Sequence, residues 1–251
     1  MALEWRKRAS HGHLGEGLRL NLLGWLLRGL MAVGGAVLVW QGWPVAASSL
    51  QAQRADAVVT DLRKGRPLSL PQVTAGIEAL DRAVAADPVA GRHLQRSELV
   101  AGGALTPGLK LSYSDQDEWL QRARADLDIG LAAAPARGTD WLRVATVRQV
   151  LDSASRAVLP PLFMSIEMAP LIPFIWPARL RIILDNWAYF SDEQREQLRA
   201  HVVTTWRRSP DRRWFGWAAR DPVDELIIRF FLRNEPNAQE DLTKLILATR
   251  K

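Results

Sequence analysis

The residues best suited to recognition chemistry gather in the second half of the 251-residue chain. The stretch Trp206-Arg207-Arg208-Ser209-Pro210-Asp211-Arg212-Arg213-Trp214-Phe215-Gly216-Trp217 is its most unusual segment. Exposed tryptophan beside arginine offers ring faces and delocalised cations, a combination that suits a sugar face, an acidic glycan, a lipid headgroup or a protein. The competing arrangement packs the rings between helices and pairs the arginines with acids such as Asp211 and Asp221. Arg179 and Arg181, which follow the Pro-rich run at 170–177, pose the same alternatives. Trp206, Arg207, Arg208, Arg212, Arg213, Trp214 and Trp217, with Arg179 and Arg181, are therefore the candidate binding residues.

Catalysis has thinner support. Glycan cleavage needs acidic residues on a cleft. Glu167, beside Ser165 and before Pro170, is the best single candidate, because an apolar neighbourhood would favour its protonated form. Asp185 is its candidate partner, and for both the plain alternative is a charge at a helix end or on a solvated face. His93 and His201 stand singly on expected helices, and His11 and His13 lie near the N-terminus, so no clustered metal ligands are expected. Cysteine is absent, which removes disulfides, thiolate sites and a cysteine nucleophile. No GxGxxG, P-loop or GxSxG occurs. No catalytic residue, cofactor or metal is assigned, and the leading expectation is a protein that is not an enzyme.

Two kinds of element must position these residues. From Leu20 to Ala47 the chain is apolar, and Gly29–Ala47 carries no formal charge. About 20 helical residues cross a bilayer core. A span near 26–45 leaves Arg28 in its first turn, where it can snorkel to the headgroups. Trp25 at one end, and Trp40 and Trp43 at the other, form an aromatic belt, and Pro44 is expected to help end the helix. Arg6, Lys7, Arg8 and Arg19 precede the span and put the N-terminus in the cytoplasm. Residues 1–50 hold net +3 of the chain's +6, so the pI of about 10.3 mostly reports orientation, and nucleic acid is not an expected partner. Val45-Ala46-Ala47 would also suit signal-peptide cleavage; the long basic lead and extra apolar turns favour a retained anchor. Ala32, Gly35 and Ala36 form a small-residue face able to pack on another membrane helix.

Beyond the span the pattern is helical almost throughout, so the fold class is all-α. Residues 1–19 read as a cytoplasmic tail, 20–47 as the anchor and 48–72 as a linker or helical extension. Residues 73–157 read as antiparallel helix pairs and 158–251 as a C-terminal helical bundle. Val73, Ile77, Leu80 and Val84 keep helical spacing up to Asp87-Pro88, and residues 90–100 form the next helix. Gly102–Ser112 reads as a loop. Ser114 with Asp117 suggests a helix start, and Ser191-Asp192-Glu193-Gln194 is a capping box. Pro160-Pro161 is expected to kink or break the chain, Pro177 to open a helix, and Asp221-Pro222 to cap another.

Ala79–Pro88 is answered by Ala125–Pro135, followed by Trp141-Leu142-Arg143-Val144-Ala145. This resembles the tetratricopeptide pattern, in which a small/large helix ends at proline before a helix opening with tryptophan. The two prolines are 47 residues apart and the repeat glycine and tyrosine are missing. More loosely, the anchor, the repeats, Met164-Ser165, Pro170, Arg179, Trp187 and Trp206-Arg207-Arg208 resemble small bacterial proteins linked to exopolysaccharide assembly. That resemblance implies a bacterial inner-membrane protein with a periplasmic domain. Its expected partners are the lipid bilayer and a protein, as part of an inner-membrane complex.

Overall fold

The computed structural model describes residues 13–249, with side chains from Trp25 onward. The expected tail, including Arg6, Lys7, Arg8 and His11, lies outside the described residues, as do the side chains of His13 and Arg19. Among the described residues the secondary structure is helical and contains no strand.

Helix α1 (His13–Arg63) runs without interruption through Pro44. This corrects the expectation that Pro44 helps end the helix. Proline removes only its own N–H from the ladder, and packing further along decides the outcome. Trp25 to Val45 is bare and apolar, long and apolar enough to cross a membrane. Within a few residues the same helix is buried at Ser48, Ala52, Ala55 and Val59. The segment after Ala47 is therefore a wall of the domain as far as Arg63.

Helices α2 (Leu70–Ala86), α3 (Ala90–Ala104), α4 (Tyr113–Ala133) and α5 (Gly138–Leu151) complete the first core. Their directions alternate. Gly76 of α2 packs by Val58 and Arg82 reaches Gln51, so α2 returns along α1. Arg92 meets Ser48 and Gln95 meets Asp56, so α3 runs beside α1 in the same sense. Gln116 donates to the Ala104 carbonyl, while Gly130 packs on Leu94, so α4 comes back down α3. Leu80, Leu94, Leu99, Leu120 and Leu127 meet in this core.

Two boundaries differ from expectation. Gly102 and Gly103 belong to α3, not to a loop, because each lets another element come close. Gly102 abuts Leu62 of α1, and a Cβ on Gly103 would stand 2.8 Å from Trp119. The α4 cap is Ser112, whose Oγ accepts from the Asp115 N–H at 3.1 Å, in place of Ser114.

Helices α6 (Leu159–Met168), α7 (Trp176–Asp185), α8 (Asp192–Arg208), α9 (Arg213–Ala218), α10 (Pro222–Phe231) and α11 (Ala238–Thr249) build the second core with α5. Pro160 and Pro161 lie in the first turn of α6, where a missing N–H costs nothing, so they start a helix. The capping box at Ser191 and the Asp221 cap form as expected. Helix α9 falls within the stretch read only for its chemistry. Gly138 packs against Ser165 and Ala169, and Arg148 donates to the Ala157 carbonyl, so α6 descends along α5. Asn186 then bridges Gln149 and Ser155 at the far end.

Candidate functional site

The Trp/Arg stretch divides sharply between core and surface. Trp206, in the last turn of α8, is buried and meets Phe215 edge-on at 4.9 Å. Arg212 covers its ring at 4.7 Å and donates to the Trp206 carbonyl at 2.8 Å. Trp214 stacks on Phe215 at 3.9 Å and donates its indole N–H to Ser209. Arg207 grips Glu235 with both oxygens at 2.7 Å, and Arg213 grips Asp211. Each of these contacts holds the carboxyl below its usual range and the guanidinium above its own. Asp211, not Asp221, is thus the local acid. Trp217, 62% exposed, and Arg208 face outward.

The two arginines of α7 serve opposite purposes. Arg181 bonds Asp224 at 2.8 and 3.0 Å, Asp185 at 2.6 Å and the Ala218 carbonyl at 3.0 Å, tying α7 to α9 and α10. Burial alone would lower its pKa, but the two carboxylates raise it. Arg179 is completely buried. Its donors go to the Ala169 carbonyl (2.9 Å), to Ser165 Oγ (2.8 and 3.1 Å) and to the Ser165 carbonyl, and Ser165 Oγ passes its own proton to the Gly138 carbonyl at 2.7 Å. No carboxylate joins this cluster among its printed hydrogen-bond partners, and burial pushes Arg179 down to about 10. His201 is also buried. Burial first, and the Arg179 charge second, lower it to about 4, and its Nε2 has no hydrogen-bond partner. Neither Arg179 nor Arg181 is presented to solvent as a docking group.

Glu167 lies exposed near the end of α6, so the apolar enclosure expected of a general acid is missing. Asp185 is committed to Arg181, not to Glu167. A recess lined by Arg156, Pro160, Phe163, Tyr189, Ser191 and Gln194 contains none of the predicted residues. Among the described residues no three His, Asp or Glu side chains could hold a metal. On α1, Ala32, Gly35 and Ala36 face outward with open space around Gly35.

Sequence reasoning missed a buried polar cluster in the first core. His93 Nδ1 lies 2.8 Å from Asp126, which also accepts from Arg96 at 2.6 and 2.7 Å. Arg96 and Arg122 both bond Asp81. Nearby, Glu98 meets Arg63 at 2.5 and 2.6 Å and Arg143 at 3.7 Å. Burial would raise the Glu98 pKa, but these guanidinium groups hold it below the usual range. A signal was available. Asp126 falls in the stripe Leu120, Ala123, Leu127, Gly130, where a lone carboxylate requires buried partners.

Compared with known proteins, the chain matches no protein-family model, no curated protein and no solved structure.

Proposed function

We propose that this protein is a membrane-anchored helical adaptor that offers its C-terminal bundle to a protein partner. The observation that carries the reading is the outer face of α10. Val223, Leu226 and Phe230 are 63%, 68% and 41% exposed, while Ile227, Ile228 and Phe231 on the other side fill the core. An amphipathic helix normally turns polar residues outward. Side chains at i, i+3 and i+7 are the anchors that helical interfaces use.

Helical repeats supply surfaces more readily than catalysts, and the tetratricopeptide resemblance over 73–157 agrees with that role. The bare apolar part of α1 supports an inner-membrane anchor, and the basic residues before it support a periplasmic domain. A setting in envelope polysaccharide assembly rests on the sequence resemblance alone. The open Ala32, Gly35, Ala36 face supports a second reading, an accessory subunit held mainly through its membrane helix.

Affinity purification of the full chain from solubilised membranes tests both. An adaptor keeps its partner when residues 20–47 are replaced by an unrelated anchor and loses it on Val223→Ser with Leu226→Ser. A subunit held by its span shows the reverse. A glycan-active enzyme using Glu167 would instead lose activity on Glu167→Gln.

A further inference from the structure

Because helix direction alternates, the connections fall at two ends of the domain. Arg92, at the start of α3, donates to Ser48 Oγ at 2.9 Å and to Ser49 Oγ at 3.0 Å. The α2–α3 turn, residues 87–89, therefore stands level with the point where α1 leaves its bare apolar stretch. A Cβ on Gly130 would lie 3.3 Å from the Ala90 carbonyl, which brings the α4–α5 turn to the same end. Gly138 at the start of α5 packs on Ser165 and Ala169, which brings the α6–α7 connection there too. Tyr113, at the start of α4, marks the opposite end.

That third connection is chemically odd. Met168–Pro177 contains no ionisable residue, although surface loops ordinarily consist of polar turn-formers. It is pinned from inside: Ile175 and Trp176 are buried, and the Trp176 indole donates to the Pro170 carbonyl at 3.1 Å. Between these anchors Leu171 and Phe174 project outward, 50% and 76% exposed. Met168, Val89 and Ile129 are exposed large apolar side chains at this same end.

Continuity of α1 identifies what covers them. From Val45, still bare, to Ser48, already buried, the helix rises only about 4.5 Å. No stalk separates the span from the domain, so this end of the domain lies at headgroup height whenever the span is in a bilayer.

We propose that the 168–175 connection is a second membrane contact, with Leu171 and Phe174 seated in the interfacial layer of the bilayer that α1 crosses. Resting on the reading of α1 as a membrane span, the inference makes the domain a cap lying on the membrane. Lipid acyl chains suit a loop with no charge and no free polar side chain, and burial of Phe and Leu in that layer is favourable.

The absence of cysteine makes the test direct. Leu38→Cys, Phe174→Cys and Tyr113→Cys each place one nitroxide label on the full chain, reconstituted in phosphatidylcholine–phosphatidylglycerol vesicles. Phe174 and Tyr113 are 76% and 93% exposed, so replacing them removes no core contact. Collisions with oxygen should exceed those with a nickel chelate at 38 and at 174, and the ratio should invert at 113. The label at 174 should sit about 5–10 Å into the interface, shallower than the label at 38. Nickel-dominated relaxation at 174 with oxygen-dominated relaxation at 38 overturns the second contact and leaves the span standing. Shielding from both reagents at 174 also overturns it, in favour of a covering protein. Nickel-dominated relaxation at 38 removes the span, and this inference with it.

Discussion

In the first core the buried Asp126 faces Arg96 and His93, so its charge is matched within the same few ångströms. In the second core the buried Arg179 faces only the oxygens of Ser165 and Ala169. Both solutions satisfy donors and acceptors, but they fail differently. A matched pair that loses one member leaves a charge in low dielectric. A cation held by neutral oxygens leaves only neutral acceptors when it is removed. The first core is thus organised by charge pairing between α2, α3 and α4. The second is organised around a cation that knits the Ser165 and Ala169 backbone of α6 to α7, with Gly138 of α5 reached through the serine hydroxyl.

The largest effect expected from this contrast is at Asp126. Asp126→Ala orphans His93 and leaves Arg96 with Asp81 alone, so unfolding of the full chain in detergent should be easier by about 3–5 kcal/mol. A urea titration followed by circular dichroism measures it; a loss below that of Arg179→Met would break the comparison. Next comes a pH effect confined to the second core. His201 is lowered to about 4 from 6.5. Between those values the unfolded chain binds a proton that the folded chain refuses. Stability is therefore full above about pH 6.5 and falls as pH drops through the window, by about 3 kcal/mol at most. His201→Gln should remove that part of the slope between pH 7 and 4, and an unchanged slope would place the titrating group elsewhere. Arg179→Met ranks third. It exposes the Ser165 and Ala169 carbonyls to an apolar neighbour but also removes a desolvated charge, so the expected loss is about 2 kcal/mol.

Local signals in the sequence located most of the helices and failed where contacts from elsewhere decide. Ser191, Asp221 and Pro177 act through their own backbone neighbours, and the helix starts they mark are where they were expected. Pro44 and Gly102-Gly103 act through distant partners. Pro44 is carried through because Ala52, Ala55 and Val59 bind the rest of α1 into the core, and the glycines lie in a helix because Leu62 and Trp119 need the room. The candidate site was legible as a composition, Trp with Arg, but not as a division between inside and outside. Nothing in the spacing of Trp206 and Trp217 distinguishes the buried ring from the exposed one. Arg179 was the more readable case, since its neighbours Trp176, Leu180 and Ile183 form an apolar stripe that includes it.

The glycines carry the comparison to its smallest effect. In the first core, a Cβ on Gly76 would meet a side-chain methyl, Leu99 Cδ2 at 2.8 Å. In the second core, a Cβ on Gly216 would meet the Leu245 carbonyl oxygen at 2.7 Å and its carbon at 2.9 Å. A leucine methyl can rotate away, whereas a helix backbone moves only with the whole of α11. Gly216→Ala should therefore cost about 1–3 kcal/mol through overpacking. Gly76→Ala regains about 1 kcal/mol of helix propensity inside α2, which roughly offsets the shift of Leu99, so its net effect should be near zero. Paired denaturation curves resolve the two. Equal losses would mean that both cores yield alike, and that the distinction between side-chain and backbone contacts does not extend to their mechanics.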